Sequence, residues 1–312
     1  MFGTYRLLAS DDFEGYRINK WRDLSEHSIF EEKGNKRMVS GAIGFLDSGV
    51  GGLTVLKAAK AQLPSESMIF VGDQARVPYG PRSSEEVVRF SREIAGFLTQ
   101  QSVKALVMAC NTATAAALPL LQQELPMPVI GVIQAGSQRA VTVTTHQRIG
   151  VIATEGTCKS HAYRQAIQAL MPNATVYEVP CPEFVLLVEA GNYRSAEATT
   201  IVQQRLAFFK DHPVDTLILG CTHYPLLLPQ ITAAMGPGVQ LVDSGVETAK
   251  QLRRQLTTAK LLTPTAEPTY QFYTTGTVTE FNRVAADWLG DTHLNVTQLP
   301  VTRLQQFDHN DN

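Results

Sequence analysis

The sequence contains few cysteines, and their spacing excludes two common uses of this residue. Four of the 312 residues are cysteine, and none of them has the CxxC or Cys/His spacing of a metal site. A cytoplasmic chain of this size keeps its thiols reduced, which argues against disulfides. The four cysteines are therefore packing residues or reactive thiols. They are Cys110, Cys158, Cys181 and Cys221.

Long apolar runs, a signal peptide and an excess of basic charge are also missing. No apolar run approaches the roughly 18 residues of a membrane span, and the N-terminal stretch lacks a signal-peptide core and cleavage site. We therefore expect a cytoplasmic protein without a membrane partner. The formal net charge is -2, and no basic run is interleaved with aromatic residues, so a nucleic-acid partner is not indicated. The hydrophobic content of 44% suffices for one large or two medium domains.

Residues 1–39 are polar, carry mixed charge and lack the pattern that begins at Ala42. We interpret them as a poorly ordered extension or a short helical appendage. Met38 lies just before the first convincing strand. Translation could begin there, which would make the upstream stretch an artefact of start-site assignment. A regulatory extension is the alternative, and both interpretations stay open.

Short apolar runs alternate with helical patterns from Ala42 onward. Because these runs are continuously apolar, they predict strands buried on both faces, as in a parallel sheet covered by helices. The expected fold class is therefore α/β. The runs cover residues 42–47, 67–73, 104–110, 128–133, 148–154, 175–180, 216–221 and 239–244. The predicted helices include 83–101, capped by Ser83 or Ser84, 160–170 and 196–210.

An internal repeat indicates two equivalent halves. The segment from Ile43 resembles the segment from Ile149, and the surroundings of Cys110 resemble those of Cys221. In open parallel sheets, ligands bind at the carboxyl ends of the strands, where helix N-termini offer unpaired N–H groups. Two such halves facing each other would place Cys110 and Cys221 across one cleft.

The two matched cysteines suggest proton chemistry. Each follows a predicted strand and precedes polar side chains and a new helix, and a helix N-terminus stabilises a thiolate. A lone cysteine there is more often a small buried hydrophobe, but two in matching contexts favour function. A racemase removes the α-proton from one face and returns a proton to the other, which two thiols could do as base and acid. Developing charge on the substrate carboxylate would be stabilised by backbone N–H groups and by Asn111, Thr112, Thr114 and Thr222.

A Gly-rich turn at 49–52 follows the first predicted strand. It lacks the GxGxxG spacing and the Walker lysine, which argues against a nucleotide site. Asp47 is either a helix cap or a functional carboxylate beside a thiol, and Ser48 could bind substrate. Tyr79 and Gly80 lie in a Pro/Gly loop that could present them to a ligand, although a plain turn is the alternative.

His223 would lie beside Cys221, whereas Asp47 would lie nearer Cys110. A histidine next to a catalytic thiol can tune the protonation of that thiol. Glu189 ends a largely apolar segment. It is either a solvated helix-end residue or a buried carboxylate paired with His223. Cys158 and Cys181 have no matching motif, and we interpret both as structural.

Five ordered motifs resemble those of the bacterial glutamate racemases. They are DSGVGG (47–52), VPYG (77–80), ACNTA (109–113), PCPEFVLLVEAG (180–191) and GCTHYP (220–225). The resemblance runs from about Ile43 to the FYTTG segment at 272–276. It implies two pseudo-symmetric α/β domains with the active site at their interface, no pyridoxal phosphate or metal, and a supply of D-glutamate for peptidoglycan.

The resemblance also assigns roles to individual residues. It makes Cys110 and Cys221 the catalytic pair, with Asp47 and His223 assisting and Glu189 supporting the histidine. It implies a first domain of residues 40–134 plus 244–312 and a second of residues 135–243. The implied substrate-binding residues are Asp47, Ser48, Tyr79, Gly80, Asn111, Thr112, Thr154, Thr157, Thr222 and His223.

Some features leave alternatives open. The related aspartate racemases look as if they carry an acidic residue at the position of His223, which favours glutamate here. Glu183 and Thr277 depart from the family pattern without touching the expected chemistry. Some family members carry extensions that allow activation by a wall precursor, and such activation and a homodimer stay open here. The rival interpretations are an aspartate racemase, another cysteine-dependent isomerase or decarboxylase of the superfamily, and a non-catalytic binder.

Overall fold

The computed structural model describes residues 41–291 and 294–307, so the predicted extension over 1–39 lies outside the described residues. The strands are β1 (Ile43–Asp47), β2 (Met68–Gly72), β3 (Ala105–Met108), β4 (Val129–Gly131), β5 (Arg148–Ala153), β6 (Thr175–Pro180), β7 (Thr216–Gly220), β8 (Gln240–Asp243), β9 (Tyr270–Thr274) and β10 (Val296–Gln298). The helices are α1 (Leu53–Gln62), α2 (Ser84–Gln100), α3 (Asn111–Glu124), α4 (Val132–Val143), α5 (Glu155–Ser160), α6 (Ala162–Leu170), α7 (Pro182–Glu189), α8 (Ala196–Leu206), α9 (Phe208–Asp211), α10 (Leu228–Met235), α11 (Ser244–Thr258), α12 (Val278–Leu289) and α13 (Val301–Leu304). Short 3-10 helices cover Tyr224–Leu227 and Gln305–Phe307.

The strands form two parallel sheets, which confirms the predicted α/β class. The first sheet has the order β10-β9-β2-β1-β3-β4 and the second the order β6-β5-β7-β8. All the pairings in both sheets are parallel. The chain therefore passes from the first sheet to the second between β4 and β5, and it returns between β8 and β9.

The two sheets have equivalent central strands. β1 lies between β2 and β3, and β5 lies between β6 and β7. The strands β3 and β7, which precede the two matched cysteines, therefore occupy the same place in their sheets. This arrangement is the structural form of the sequence repeat. Since parallel strands end at the same edge of a sheet, each cysteine lies at the carboxyl edge of its own sheet.

The helices that follow the two crossings pack against each other. α4 follows β4 and α11 follows β8, and these two helices are in contact. α11 also packs against α1 beside the first sheet, whereas α4 packs against α6 and β7 beside the second. The pair α4 and α11 thus joins the two halves of the molecule.

The helix boundaries agree with the predictions in part. Ser83 caps α2 by accepting from the Glu86 N–H, and Glu86 reaches back to the Ser83 N–H, so Ser83 rather than Ser84 is the cap. The helix predicted over 160–170 corresponds to α6, which begins at Ala162, and His161, in a left-handed backbone conformation, separates it from α5. The helix predicted over 196–210 is divided at Ala207.

One strand prediction needs correction, and two strands were missed. The run over 128–133 is a strand only to Gly131, and α4 begins at Val132. A continuous apolar run does not distinguish a buried strand from the start of a buried helix. The strands β9 and β10 were not predicted. β9 contains several half-buried residues, and β10 has only three residues, so neither gives a continuous apolar run. Within the described residues, no helix is both long and apolar enough to cross a membrane.

Candidate active site

Cys110 and Cys221 line the same cleft between the two sheets. The cleft and the open solvent at its mouth together comprise about 840 Å³. Both thiols are free and buried. A negative charge on Cys221 would raise the pKa of Cys110, although burial and Asp47 raise it more.

Most of the predicted site residues meet in this cleft. Asp47, Thr157 and Glu189 are not part of its lining, although each interacts with a residue that is. Thr114 also lies outside the lining, and its hydroxyl donates to the Cys110 carbonyl at 2.8 Å. The predicted residues in the lining are Ser48, Tyr79, Gly80, Cys110, Asn111, Thr112, Thr154, Cys221, Thr222 and His223.

The surroundings of Cys110 favour the protonated thiol. Cys110 is the N-cap of α3, and its sulfur accepts from the Ala113 N–H at 3.4 Å. The thiol donates to Ser48 Oγ at 3.6 Å. Burial, followed by the negative charge of Asp47, raises the pKa of Cys110 to about 12. At neutral pH this cysteine therefore holds a proton that it can donate.

Asp47 is fully buried beneath the Gly-rich turn. Its Oδ2 accepts from the Gly49 N–H at 3.0 Å, but its Oδ1 has no hydrogen-bond partner among the residues that the structure describes. Burial raises the pKa of Asp47 above its ordinary value of 3.8. The half-satisfied carboxylate indicates that the residue does more than cap a turn, because an unpaired buried oxygen carries a stability cost.

This arrangement predicts that Asp47→Asn is more stable than the wild type at pH 7. Because the folded pKa of Asp47 is raised, the folded protein holds a proton above pH 3.8 that the unfolded chain has released. Wild-type stability therefore falls as the pH rises through that window, by at most about 1.4 kcal/mol per pH unit for one proton. Asparagine has no such loss, so the advantage of the variant should shrink toward pH 4. Urea unfolding of both proteins at several pH values measures this difference in the free energy of unfolding.

The opposite result would mark Asp47 as a purely structural cap. In that case Asp47→Asn would be less stable than the wild type at pH 7, and the difference would not shrink on acidification. Asp215→Asn is the matched control, because burial alone would raise the pKa of Asp215 but hydrogen bonds from Thr144, Thr145 and His146 outweigh burial and lower it. We expect that control to lose stability.

Cys221 lies beside a cation rather than a carboxylate. The Nδ1 atom of His223 is 3.6 Å from the Cys221 sulfur, and its Nε2 atom is 2.6 Å from Glu189 Oε1. Burial alone would lower the pKa of His223, but the hydrogen bonds to Cys221 and Glu189 outweigh it and raise that pKa to about 10. The Glu189 side chain is 32% exposed. It is thus a half-buried partner of the histidine, with the pairing that the second interpretation expected but without the full burial.

One expectation about Cys221 was wrong. An α-helix does not begin directly after it, because a 3-10 helix starts at Tyr224 and α10 only at Leu228. Pro225 and Pro229 lack the N–H groups that a continuous helix would need here. The positive charge beside this thiol therefore comes from His223, whereas Cys110 does lie at a helix N-terminus.

The Gly-rich turn brings the first half of the chain against the second. A Cβ atom on Gly51 would lie 2.2 Å from Thr222 Oγ1 and 2.6 Å from the His223 ring. The Thr54 hydroxyl donates to the Thr222 carbonyl at 2.9 Å. Glycine is therefore required at position 51, because any side chain would displace the segment that carries Cys221.

We predict that Gly51→Ala lowers both stability and activity. The added methyl cannot fit without moving Thr222 and His223, and such overpacking costs about 1–3 kcal/mol. Gly49→Ala is the matched control, because its nearest contact would be an ordinary 3.6 Å to Val77 Cγ2. Thermal unfolding and activity assays on both variants test this. Equal behaviour of the two would contradict the close approach at Gly51.

Three hydroxyl groups meet across the two halves on one side of the cleft. Thr112 Oγ1 lies 3.0 Å from Thr154 Oγ1 and 3.4 Å from Thr157 Oγ1, and the Thr154 hydroxyl donates to Thr157 Oγ1 at 2.9 Å. Thr112 belongs to α3 of the first half, whereas Thr154 caps α5 of the second. Hydroxyl groups at such positions can hydrogen-bond a polar ligand that contacts both halves.

Tyr79 lines the cleft, but its hydroxyl is hydrogen-bonded within the protein. The hydroxyl donates to Asp73 Oδ2 at 2.5 Å, and Asp73 also accepts from Arg76 and Thr275. Burial is the main reason that the pKa of Tyr79 is well above its ordinary value. A ligand would therefore contact the ring of Tyr79 and the neighbouring Gly80 rather than the phenol oxygen.

Comparison with known proteins identifies the family. The model of the Asp/Glu/Hydantoin racemase family matches residues 53–252. The chain belongs to this family. The glutamate racemase of Lactiplantibacillus plantarum is 53% identical over 251 residues, which cover 80% of this chain and 92% of that protein. Among the residues that the structure describes, no group of three or more His, Cys, Asp and Glu side chains could hold a metal ion.

Solved racemase structures share the fold of this family member. Glutamate racemase isoform RacE1 from Bacillus anthracis is 44% identical with a TM-score of 0.82, covering 84% of this chain and 98% of that one. The Francisella tularensis glutamate racemase, solved with D-glutamate, is 36% identical with a TM-score of 0.79 and coverages of 85% and 99%. The Escherichia coli enzyme, solved with L-glutamate and the activator UDP-MurNAc-Ala, is 26% identical with a TM-score of 0.68 and coverages of 83% and 97%.

The racemase cleft also contains residues that sequence reasoning missed. The motif PCPEFVLLVEAG was recognised, but its apolar residues were not assigned to the site. Leu186, on α7, is 69% exposed although it lines the cleft. An exposed leucine on a short helix leaves no sequence signal that separates it from a core residue. The additional lining residues are Val77, Pro78, Pro81, Glu155, Pro182, Val185 and Leu186.

The two departures from the family pattern have structural uses in this racemase. Thr277 caps α12, where its hydroxyl oxygen accepts from the Glu280 N–H at 3.3 Å. Glu183 pairs with Arg205 of α8. Neither lines the cleft. The remaining cysteines, Cys158 and Cys181, are buried and also lie outside its lining.

Proposed function

We propose that the protein interconverts L-glutamate and D-glutamate without a cofactor, with Cys110 and Cys221 as acid and base on opposite faces of the substrate α-carbon. The observation that carries this proposal is the equivalent position of the two cysteines. Each follows the corresponding strand of its own sheet, and both line one cleft. A reaction that removes a proton from one face and delivers one to the other needs such a pair.

The unlike surroundings of the two thiols support a defined resting state. An imidazolium beside the Cys221 sulfur stabilises negative charge there, whereas Cys110 keeps its proton next to Asp47. The Cys221 thiolate would take the α-proton, and the electron pair of the broken C–H bond would pass into the carboxylate as an enolate-like intermediate. The Cys110 thiol would then give its proton to the opposite face. The substrate of opposite configuration would react with the two roles exchanged.

The cleft offers groups that stabilise the intermediate. The N-terminus of α3 lies at Asn111, directly after Cys110, and its free N–H groups favour negative charge. Asn111, Thr112 and Thr222 add polar side chains to the lining. We assign these groups to the substrate carboxylates, together with Ser48, Thr154 and Thr157.

Glutamate is favoured over aspartate by the relatives and by one residue. Proteins about half identical to this chain are glutamate racemases, and the Francisella tularensis relative was solved with D-glutamate. His223 occupies the position at which aspartate racemases look acidic. We infer that D-glutamate made here enters peptidoglycan.

Other parts of the proposal concern the setting of the enzyme. We propose domains of 40–134 plus 244–312 and of 135–243, in line with the two sheets. We also propose a cytoplasmic location, because two working thiols need a reducing compartment. A homodimer and activation by a wall precursor remain proposals. Light scattering with and without UDP-MurNAc-Ala, the activator of the Escherichia coli relative, together with rates under the same conditions, would test both.

The proposed reaction is tested by exchange in D₂O. Purified protein without added cofactor should convert either enantiomer of glutamate to the racemate and place deuterium at the α-carbon of the product. Aspartate should turn over far more slowly. Faster turnover of aspartate would identify the rival aspartate racemase, and no exchange with either amino acid would favour a binding protein.

A further inference from the structure

A buried tyrosine of the second half contacts a residue next to each of the two cleft cysteines. Tyr163, on α6, is fully buried. Its ring lies against the backbone of Gly220, where an added Cβ would be 3.1 Å from Tyr163 Cε2, and Gly220 directly precedes Cys221. Its hydroxyl reaches the first half, where it donates to Asn111 Oδ1 at 2.7 Å. Asn111 directly follows Cys110 and lines the cleft.

The direction of the hydrogen bonds around Tyr163 is determined by counting protons. The hydroxyl has one proton, and that proton is used in the bond to Asn111 Oδ1. Ser244 Oγ lies 2.7 Å from the same phenol oxygen, so the Ser244 hydroxyl must donate to it. Ser244 begins α11, and its hydroxyl lies against Gly136 of α4, where an added Cβ would be only 2.5 Å from Ser244 Oγ. The two helices that join the halves, α4 and α11, thus hold the Ser244 hydroxyl in place.

These hydrogen bonds determine whether the oxygen or the NH₂ group of the Asn111 carboxamide is available to a ligand. The oxygen and the nitrogen of a carboxamide lie on opposite sides of one planar group, and rotation of an unrestrained amide exchanges their positions. Because Oδ1 accepts the hydrogen bond from Tyr163, the Nδ2 group is the one that can contact a ligand in the cleft. A donor suits an anionic substrate carboxylate, whereas the flipped amide would present a carbonyl oxygen and repel it.

We propose that Tyr163 is a positioning residue that holds the Asn111 carboxamide with its NH₂ group toward the substrate carboxylate. The inference rests on the proposed glutamate racemisation and extends it to a residue outside the cleft lining. It also makes the orientation of Asn111 depend on the two halves being together, since Tyr163 and Asn111 belong to different halves. Tyr163 acts only through Asn111 and touches no reacting atom.

The test is a double-mutant cycle between Tyr163→Phe and Asn111→Ala. Phenylalanine keeps the ring and removes only the hydroxyl. We expect Tyr163→Phe to lower kcat/KM for D-glutamate by about 10-fold or more, the effect of losing an oriented hydrogen bond to a charged group. In the Asn111→Ala background the same change should alter kcat/KM by less than about 2-fold, because the group that Tyr163 positions is already absent. Calorimetric Kd values for D-glutamate should follow the same pattern and remain measurable if turnover is lost.

A matched control separates positioning from general stability. Tyr193→Phe also removes one hydroxyl that joins the halves, since Tyr193 donates to Asp287 of α12. It contacts no residue of the cleft lining through that group, so its effect should be the same in both backgrounds. Should Tyr163→Phe fail to fold, Ser244→Ala removes the hydrogen bond that polarises the Tyr163 hydroxyl and should lower kcat/KM by a smaller factor, which should also disappear in the Asn111→Ala background.

The outcomes are distinct. An effect of Tyr163→Phe that is equal in the presence and absence of Asn111, or full activity of Tyr163→Phe, would overturn the inference. A wild-type protein that does not racemise glutamate would overturn the proposed function instead. If the wild type racemises and the cycle shows no coupling, only the role of Tyr163 is wrong.

Discussion

Cys110→Ser and Cys221→Ser should each lower glutamate racemisation by at least about 10³-fold, within the range for loss of a general acid or base. A serine hydroxyl is close to a thiol in shape but is a far weaker acid, so it can neither persist as an anion beside His223 nor replace the Cys110 proton donor. Because each turnover uses both groups, the two variants should be about equally impaired. Polarimetry or a coupled D-glutamate assay would measure the loss.

Cys181→Ala provides the control for this pair. Cys181 is as buried as the two cleft thiols, and burial raises the pKa of its thiol as it does that of Cys110, but Cys181 does not line the cleft. We expect a modest loss of stability and a rate close to that of the wild type. Full activity in either of the two serine variants would exclude a two-thiol reaction.

His223→Gln should lower kcat/KM by about 10²-fold or more, again within the range for acid–base groups. Glutamine can still donate a hydrogen bond, but it cannot supply the positive charge that His223 holds beside Cys221. Glu189→Gln should have a smaller effect, because Glu189 acts on the sulfur only through the His223 ring. Steady-state rates for both variants over a range of pH would establish this order.

The surface histidine His161 is the matched control for His223. It pairs with a carboxylate in the same manner, with Nδ1 2.7 Å from Glu178 Oε2, but it is exposed and does not line the cleft. His161→Gln should therefore leave the rate unchanged. A larger loss in Glu189→Gln than in His223→Gln would mean that Glu189 acts on the substrate directly.

The parts of the fold that could be predicted are those for which burial determines residue type. The eight apolar runs each contain a strand, because central strands such as β1 and β7 are buried along their whole length. The strands β9 and β10 could not be found in this way, since half-exposed strands are stabilised by pairing partners distant in sequence. The left-handed residue His161, which divides α5 from α6, has no local signal either.

The site shows the same division. Residues beside a strand end, such as Cys110, Ser48 and Thr222, could be placed at the cleft from the motif and the topology alone. Contacts that join segments distant in sequence could not be predicted in this way. No motif marked Tyr163 as part of the site, and its bond to Asn111 depends on how α6 packs against the other half. Gly51 was recognised as permitting a tight turn, but its contact with Thr222 required the relative position of the two halves.

The central claim is that two sulfur atoms lie on opposite sides of one carbon, and a crystal structure of the complex with D-glutamate tests it most directly. We expect the α-carbon between Cys110 Sγ and Cys221 Sγ, with its C–H bond directed at one of them and the α-carboxylate near Asn111. A complex in which both sulfurs lie on the same face, or in which glutamate contacts only one of them, would contradict the account.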